Sequence, residues 1–205
     1  MLSGGVSPEV AAVVIGGSAG AIQALLHLLP GIQATAAIPF ITVIHLPPRR
    51  PSLLTELFSP RCSLPVREPC DKEPITSGIW FAPPDYHLLI EKDHTFSLSL
   101  DEPDLHSRPS IDALFESAAD CYGSRLIGIV LTGASRDGAC GVRAICERGG
   151  KCFTLRPEGE SDISIMPGAA VEQGAAPTSL AELADVLRAC ADIHHTEGPA
   201  LENHS

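Results

Sequence analysis

Apolar residues along this chain gather in short continuous runs that alternate with stretches of helical spacing. The first run, "AAVVIG" (11–16), is of buried-strand type, and "AIQALLHLLP" (21–30) carries helical spacing that Pro30 stops. "IPFITVIH" (38–45) predicts a second buried strand, and "PSLLTELF" (51–58) a helix with Pro51 near its start. The middle of the chain changes character. "GIWFAP", "YHLLIE" and "TFSLSL" are short β-type segments, and "KDH" between the last two predicts a turn. Helical spacing returns in "SIDALFESAADCYG" (110–123), where Ser110 can cap and Gly123 can terminate. "RLIGIVLTG" (125–133) is the clearest buried strand of the second half. A helix "GACGVRAICERGG" (138–150), a strand "KCFTL" (151–155) and a final helix "SLAELADVLRACA" (179–191) follow it.

Strands alternating with helices predict an α/β fold: a doubly wound, mostly parallel sheet with a small antiparallel hairpin insertion near 78–100. One domain is expected over 11–190, with flexible tails at 1–10 and 191–205. In such sheets ligands lie beyond the carboxyl ends of the strands, at a topological switch point. The residues just after each strand are therefore the first candidates for chemistry.

The first of these is the turn Gly16-Gly17-Ser18-Ala19-Gly20. A dinucleotide fingerprint needs G-x-G-x-x-G and an acidic residue about 20 positions on. Ser18 stands where the second glycine belongs, and His45, not an acid, closes the second strand. A P-loop fails as well, because no Gly-Lys-Ser/Thr follows. The turn does match G-x-S-x-G, in which small neighbours let the backbone turn sharply and lift a serine hydroxyl above the sheet. Taken alone, Ser18 serves equally well as a helix cap.

A nucleophilic serine requires a base, and the base requires an orienting acid. His45 ends the second strand on the same rim, and Asp137 follows the strong late strand in "LTGASRDGACG". Each has a plainer reading, His45 as a packing residue and Asp137 as a helix cap. Together the three strand ends supply Ser, His and Asp. The backbone N–H of Ala19, at the helix start, is a candidate donor to an oxyanion. Arg108, in the loop "HSRPSID", and Arg136, beside Asp137, are candidate substrate contacts; a loop-anchoring ion pair suits Arg108 equally. His87 opens an insertion strand and reads mainly as structural, while His106 could border the cleft.

Composition bounds the function further. The formal net charge is −11 with a pI of about 5.0, too acidic for a phosphate-tracking surface, so nucleic acid and anionic membranes are not expected partners. No apolar run approaches the roughly 20 residues of a membrane span, and "MLSGGVSPEV" lacks the pattern of a secretory signal. The seven cysteines are odd in number and include no C-x-x-C pair. They predict reduced thiols and a cytoplasmic protein, with no clustered ligand set for a metal.

The motifs "IGGSAGAIQAL", "IHLPP", "DKEPITSGIWFAPPDYHLLI", "SRPSIDALFESAA", "GIVLTGASRDGACGV" and "MPGAA" agree in order and spacing with one family. Over roughly 11–190 the chain resembles the catalytic domain of the chemotaxis receptor protein-glutamate methylesterase, the CheB family. The resemblance implies a cytoplasmic hydrolase that removes methyl esters from glutamates on the cytoplasmic helices of chemoreceptors and deamidates certain glutamines. It implies no metal or organic cofactor. By position, Ser18 would be the nucleophile, His45 the general base and acid, and Asp137 the residue orienting His45. Ala134 would give a backbone N–H to the oxyanion hole.

The chain also departs from the family. Ser18-Ala19-Gly20-Ala21 replaces a common Ser-Thr-Gly-Gly, and Ala134 stands where methionine is frequent. Ser135 and Arg136 replace smaller or neutral residues, and "TLRPEGESDISIMP" replaces a stretch that usually contains Gln-Asp. Well-known members carry an N-terminal receiver domain, whereas about ten residues precede the first strand here. That implies a separate regulatory protein, constitutive activity or another pathway. Two alternatives to the receptor esterase are an esterase on another substrate and a non-catalytic paralogue that binds receptor helices or a signalling partner. Arg49, Arg50, Arg108 and Arg136 could form a local positive patch near the cleft.

Overall fold

A computed structural model describes residues 9–46, 52–105, 107–157 and 164–192. Its main sheet has seven strands in the order β3-β4-β2-β1-β7-β8-β9, and every neighbouring pair is parallel. The strands are β1 Ala12–Ser18, β2 Pro39–His45, β3 Val66–Arg67, β4 Gly78–Phe81, β7 Leu126–Val130, β8 Lys151–Leu155 and β9 Ala176–Thr178. The hairpin is a separate antiparallel pair, β5 His87–Ile90 with β6 Phe96–Ser99. Among the described residues there are six α-helices, five between strands and the last after β9: α1 Ile22–Leu28, α2 Leu54–Phe58, α3 Ile111–Tyr122, α4 Ala139–Glu147, α5 Ile165–Glu172 and α6 Leu180–Asp192.

Alternation along the strands sorts their side chains into two cores. Val13 and Ile15 of β1 join Leu25 and Leu28 of α1 and Leu183 and Leu187 of α6 on one face of the sheet. Ala12 and Val14 join Leu114, Phe115 and Ala118 of α3 and Val142 and Ile145 of α4 on the other. The hairpin packs on this second face, where the rings of Trp80 and Phe96 lie 4.9 Å apart. Both faces are covered, which is why β1 and β2 read as unbroken apolar runs. The doubly wound reading holds.

Boundaries follow the local chemistry. Ser110 caps α3, its hydroxyl accepting from the Ala113 N–H at 3.3 Å, and Gly123 ends the helix with φ +57°. Three elements have no counterpart in the sequence reading. β3 has two residues, too few for a pattern. β9 contains Pro177, which an edge strand tolerates. α5 carries Pro167 in its first turn, where no intrahelical N–H is needed. α6 runs to Asp192, two residues into the expected tail. Among the described residues no helix is long and apolar enough to cross a membrane.

Candidate active site

The sheet reverses its winding at β1: β2 and then β4 extend one way from it, and β7 and then β8 the other. Its last residue is Ser18. In the parallel ladder Ser18 lies directly opposite His45, the last residue of β2, so both occupy one rung on the carboxyl rim. On the other flank, hydrogen bonds continue beyond β7: the Leu131 N–H donates to Gly16 O at 2.8 Å and the Ser18 N–H to Thr132 O at 2.9 Å. The loop leading to Asp137 is thereby tied alongside Ser18.

His45 and Asp137, 92 positions apart, meet through a 2.8 Å hydrogen bond between Nε2 and Oδ2. The Asp137 side chain is fully buried and that of His45 is 13% exposed. A lone carboxylate there would be costly, and Asp137 is not alone. It sits at the N-terminus of α3. The N–H groups of Ile111 and Asp112 donate to Oδ2 and Oδ1 at 2.8 and 2.9 Å, and the Ser110 hydroxyl donates to Oδ1 at 3.1 Å. Burial pushes the Asp137 carboxyl up, but the hydrogen bonds from His45 and from the two backbone N–H groups outweigh it and hold the group below the ordinary carboxylate range. Asp137 is therefore an acceptor, and His45 must carry its proton on Nε2. That leaves Nδ1 as the basic atom of the ring. Ser107 Oγ stands 3.4 Å from it. The hydroxyl of Ser18 has no hydrogen-bond partner among the described residues.

One glycine makes this helix placement possible. A Cβ on Gly16 would lie 2.4 Å from Cγ2 of Ile111, so α3 can approach β1 this closely only against a bare backbone. His87 secures the same terminus from behind. It accepts from the Ser110 N–H at 3.1 Å through Nδ1, which leaves Nε2 to donate to Glu102 O at 3.1 Å. Beside this array lies a second buried acid. Burial pushes the Asp112 carboxyl up to about 7, aided by the nearby Asp137 charge and opposed by the Gly141 N–H. One oxygen each of Asp104, Asp112 and Asp137 fall within 4.8 Å of one another. Both oxygens of Asp137 already accept two donors each, which leaves its lone pairs engaged by protons.

Three comparisons bear on this arrangement. The family model described as CheB methylesterase matches residues 13–189. This chain belongs to the CheB methylesterase family. A Leptospira interrogans relative is 44% identical over 162 residues, 78% of this chain and 83% of its own length; its name carries methylesterase and glutaminase activities provisionally. The Caulobacter vibrioides protein-glutamate methylesterase/protein-glutamine glutaminase 2 is 36% identical over 83% of this chain, which spans 50% of that relative. The crystal structure of the Thermotoga maritima CheB methylesterase catalytic domain superposes with a TM-score of 0.81 at 27% identity, covering 88% of this chain and 98% of that one.

Within this CheB fold the candidate residues fall into two groups. Ser18, His45 and Asp137 converge on the rim. Ala134 lies exposed in the loop before Asp137, and its N–H donates to no described group; Ala19 opens the short 3-10 turn after Ser18. The two arginines have other engagements. Arg108 donates through Nη1 to the carbonyls of Leu100 and Asp101, both at 2.8 Å, so it anchors its own loop. Arg136 pairs with Glu172 of α5 at 2.6 Å, and Asp137 is held without it. Arg49, Arg50 and His106 lie outside the described residues. In the sequence Ser110 reads only as a helix cap and Ser107 shows no role. The segment "SRPSID" held both, but its spacing points only to a helix start.

Proposed function

We propose that this chain hydrolyses methyl esters of glutamate side chains on the cytoplasmic helices of methyl-accepting chemoreceptors, and deamidates glutamines there, through Ser18, His45 and Asp137. One observation carries the reading: a buried, four-donor Asp137 holds Nε2 of His45, which leaves Nδ1 as the basic atom, on the same rung as Ser18. Family membership and the names of the relatives support the substrate class.

The chemistry uses side chains and backbone, and calls on no metal or organic cofactor. Ser18 Oγ attacks the ester carbonyl as Nδ1 of His45 takes its proton. The negative charge on the carbonyl oxygen is met by the N–H groups of Ala134 and Ala19. Protonated His45, stabilised by Asp137, then gives its proton to departing methanol, or to ammonia when the substrate is a glutamine. Water attacks the acyl-enzyme by the same route and releases the glutamate. A receptor substrate of this kind implies an enzyme that works in the cytoplasm.

Labelling by a fluorophosphonate tests the catalytic claim, and methanol release from carboxyl-methylated receptor membranes tests the substrate. Ser18→Ala should abolish labelling and lower methanol release by roughly 10⁴- to 10⁶-fold, as for members of a unit acting together. Folded wild-type protein that takes no label would sink the proposal and favour a binding paralogue. Labelling without methanol release would point to a different ester.

A further inference from the structure

Ser164 occupies the N-cap of α5, yet its side chain makes no capping bond to that helix. It turns back to the loop after β7. The Gly133 N–H donates to Ser164 Oγ at 2.8 Å, and Ser164 Oγ donates to Gly133 O at 2.9 Å. A third contact joins Ser164 Oγ to Thr132 Oγ1 at 3.0 Å. The single Ser164 proton is used on the carbonyl, so Thr132 donates here, and the hydroxyl fills its one donor and two acceptor positions. Gly133 O also accepts from the Met166 N–H at 3.0 Å. Its carbonyl is thus held toward α5 by two donors.

The consequence lies in the same peptide unit. A trans peptide is planar, with its C=O and N–H pointing in opposite directions. Holding Gly133 O toward α5 turns the N–H of Ala134 away from α5. The loop is also wedged between α5 and the nucleophile: a Cβ on Gly133 would lie 2.5 Å from Met166 Cε and 3.2 Å from Ser18 Cβ. A flipped peptide would forfeit both bonds to the carbonyl and present oxygen to a developing oxyanion.

We propose that Ser164 is a positioning residue, holding the Gly133–Ala134 peptide so that the Ala134 N–H faces the oxyanion formed at Ser18. This rests on the reading of Ala134 as an oxyanion donor given above. Ser164 does not touch substrate. It acts through a backbone group that cannot be varied by ordinary side-chain changes, in a segment whose sequence departs from the usual family pattern.

The test uses the full chain, with the rate of phosphonylation by a fluorophosphonate and methanol release from methylated receptor membranes as readouts. In phosphonylation Ser18 Oγ bonds to phosphorus as P–F breaks, fluoride leaves and His45 takes the proton. Ser164→Ala should lower both rates by about 10- to 100-fold with KM moved less than about threefold, a smaller loss than the roughly 10²- to 10³-fold cost of deleting an oxyanion donor outright. The isosteric pair Ser164→Thr and Ser164→Val separates hydroxyl from packing: Thr should stay within about threefold of wild type while Val falls like Ala. Exchanging the Ala134 N–H for an ester oxygen, by incorporating lactic acid at that position, tests the donor alone. On that background Ser164→Ala should cost almost nothing further. Equal losses for Thr and Val, or a full loss on the ester background, would overturn the role of Ser164 and leave the donor standing. An ester variant as fast as wild type would remove the donor assignment itself.

Discussion

At the scale of single residues, Asp137 shows how a buried charge is made tolerable and useful. Its four donors favour the ionised form more than burial opposes it, so it is still charged at pH values where most carboxylates have begun to protonate. An amide in its place cannot satisfy the same array. Asp137→Asn would set an N–H₂ group against a backbone N–H of Ile111 or Asp112 or against the His45 N–H. We expect a loss of about 1–3 kcal/mol in stability from the unsatisfied donors. Turnover should fall by roughly 10⁴-fold because His45 loses the partner that fixes its tautomer. Thermal melts and methanol-release kinetics on one preparation check both. A melt unchanged from wild type would show that the donors are not as tightly committed as described. None of the four donors except His45 could be paired with Asp137 from sequence, because the others are a hydroxyl and backbone groups that carry no residue signature.

At the scale of elements, the site depends on how closely α3 lies against β1. Gly16→Ala places a methyl where Ile111 Cγ2 already sits, so the N-terminus of α3 must shift. Overpacking of this kind costs about 1–3 kcal/mol, and even a shift on the order of 1 Å in the group that positions a base can cost up to about 10²-fold in rate. A G16A variant of normal activity would show that α3 tolerates displacement. Asp112, on the first turn of the same helix, makes a pH prediction. With its carboxyl raised to about 7, the folded chain keeps a proton that the unfolded chain loses near pH 4. Stability from this group therefore falls as pH rises from about 4 to 7, and the loss is complete above that window. Asp112→Asn should leave the melting temperature near pH 4 almost unchanged. At pH 8 it should raise it, by about 2–4 °C for each kcal/mol relieved. Melts showing no gain at pH 8 would refute the assignment. The helices and strands were legible where they are long and two-sided. α5 and the edge strands β3 and β9 were not, since short elements are decided by the neighbours they pack on.

At the scale of the whole molecule, the net charge of −11 bears on encounter with a partner. Of the two described arginines expected near the cleft, Arg136 is paired with Glu172, and Arg108, bound to neutral carbonyls, sets a single positive charge against that total. Approach to an acidic receptor helix should then be slowed by like charge and relieved by screening. We expect kcat/KM on receptor membranes to rise between roughly 0.01 and 0.15 M ionic strength, where the screening length falls from about 30 to 8 Å. A fall with added salt would show a local positive field instead.

The alternation of apolar runs and helical stretches already implied a doubly wound parallel sheet, because strands buried on both faces must be apolar throughout. Order along the chain also put Ser18, His45 and Asp137 at strand ends, hence on one rim. Chain order could not say which nitrogen of His45 is basic, that α3 delivers its N-terminal donors to Asp137, or that Ser164 reaches back to Gly133. Those are contacts between segments 25 to 92 positions apart. Apart from the His45–Asp137 pair, they are made by backbone groups and hydroxyls that every sequence contains in abundance, and only packing selects which of them meet.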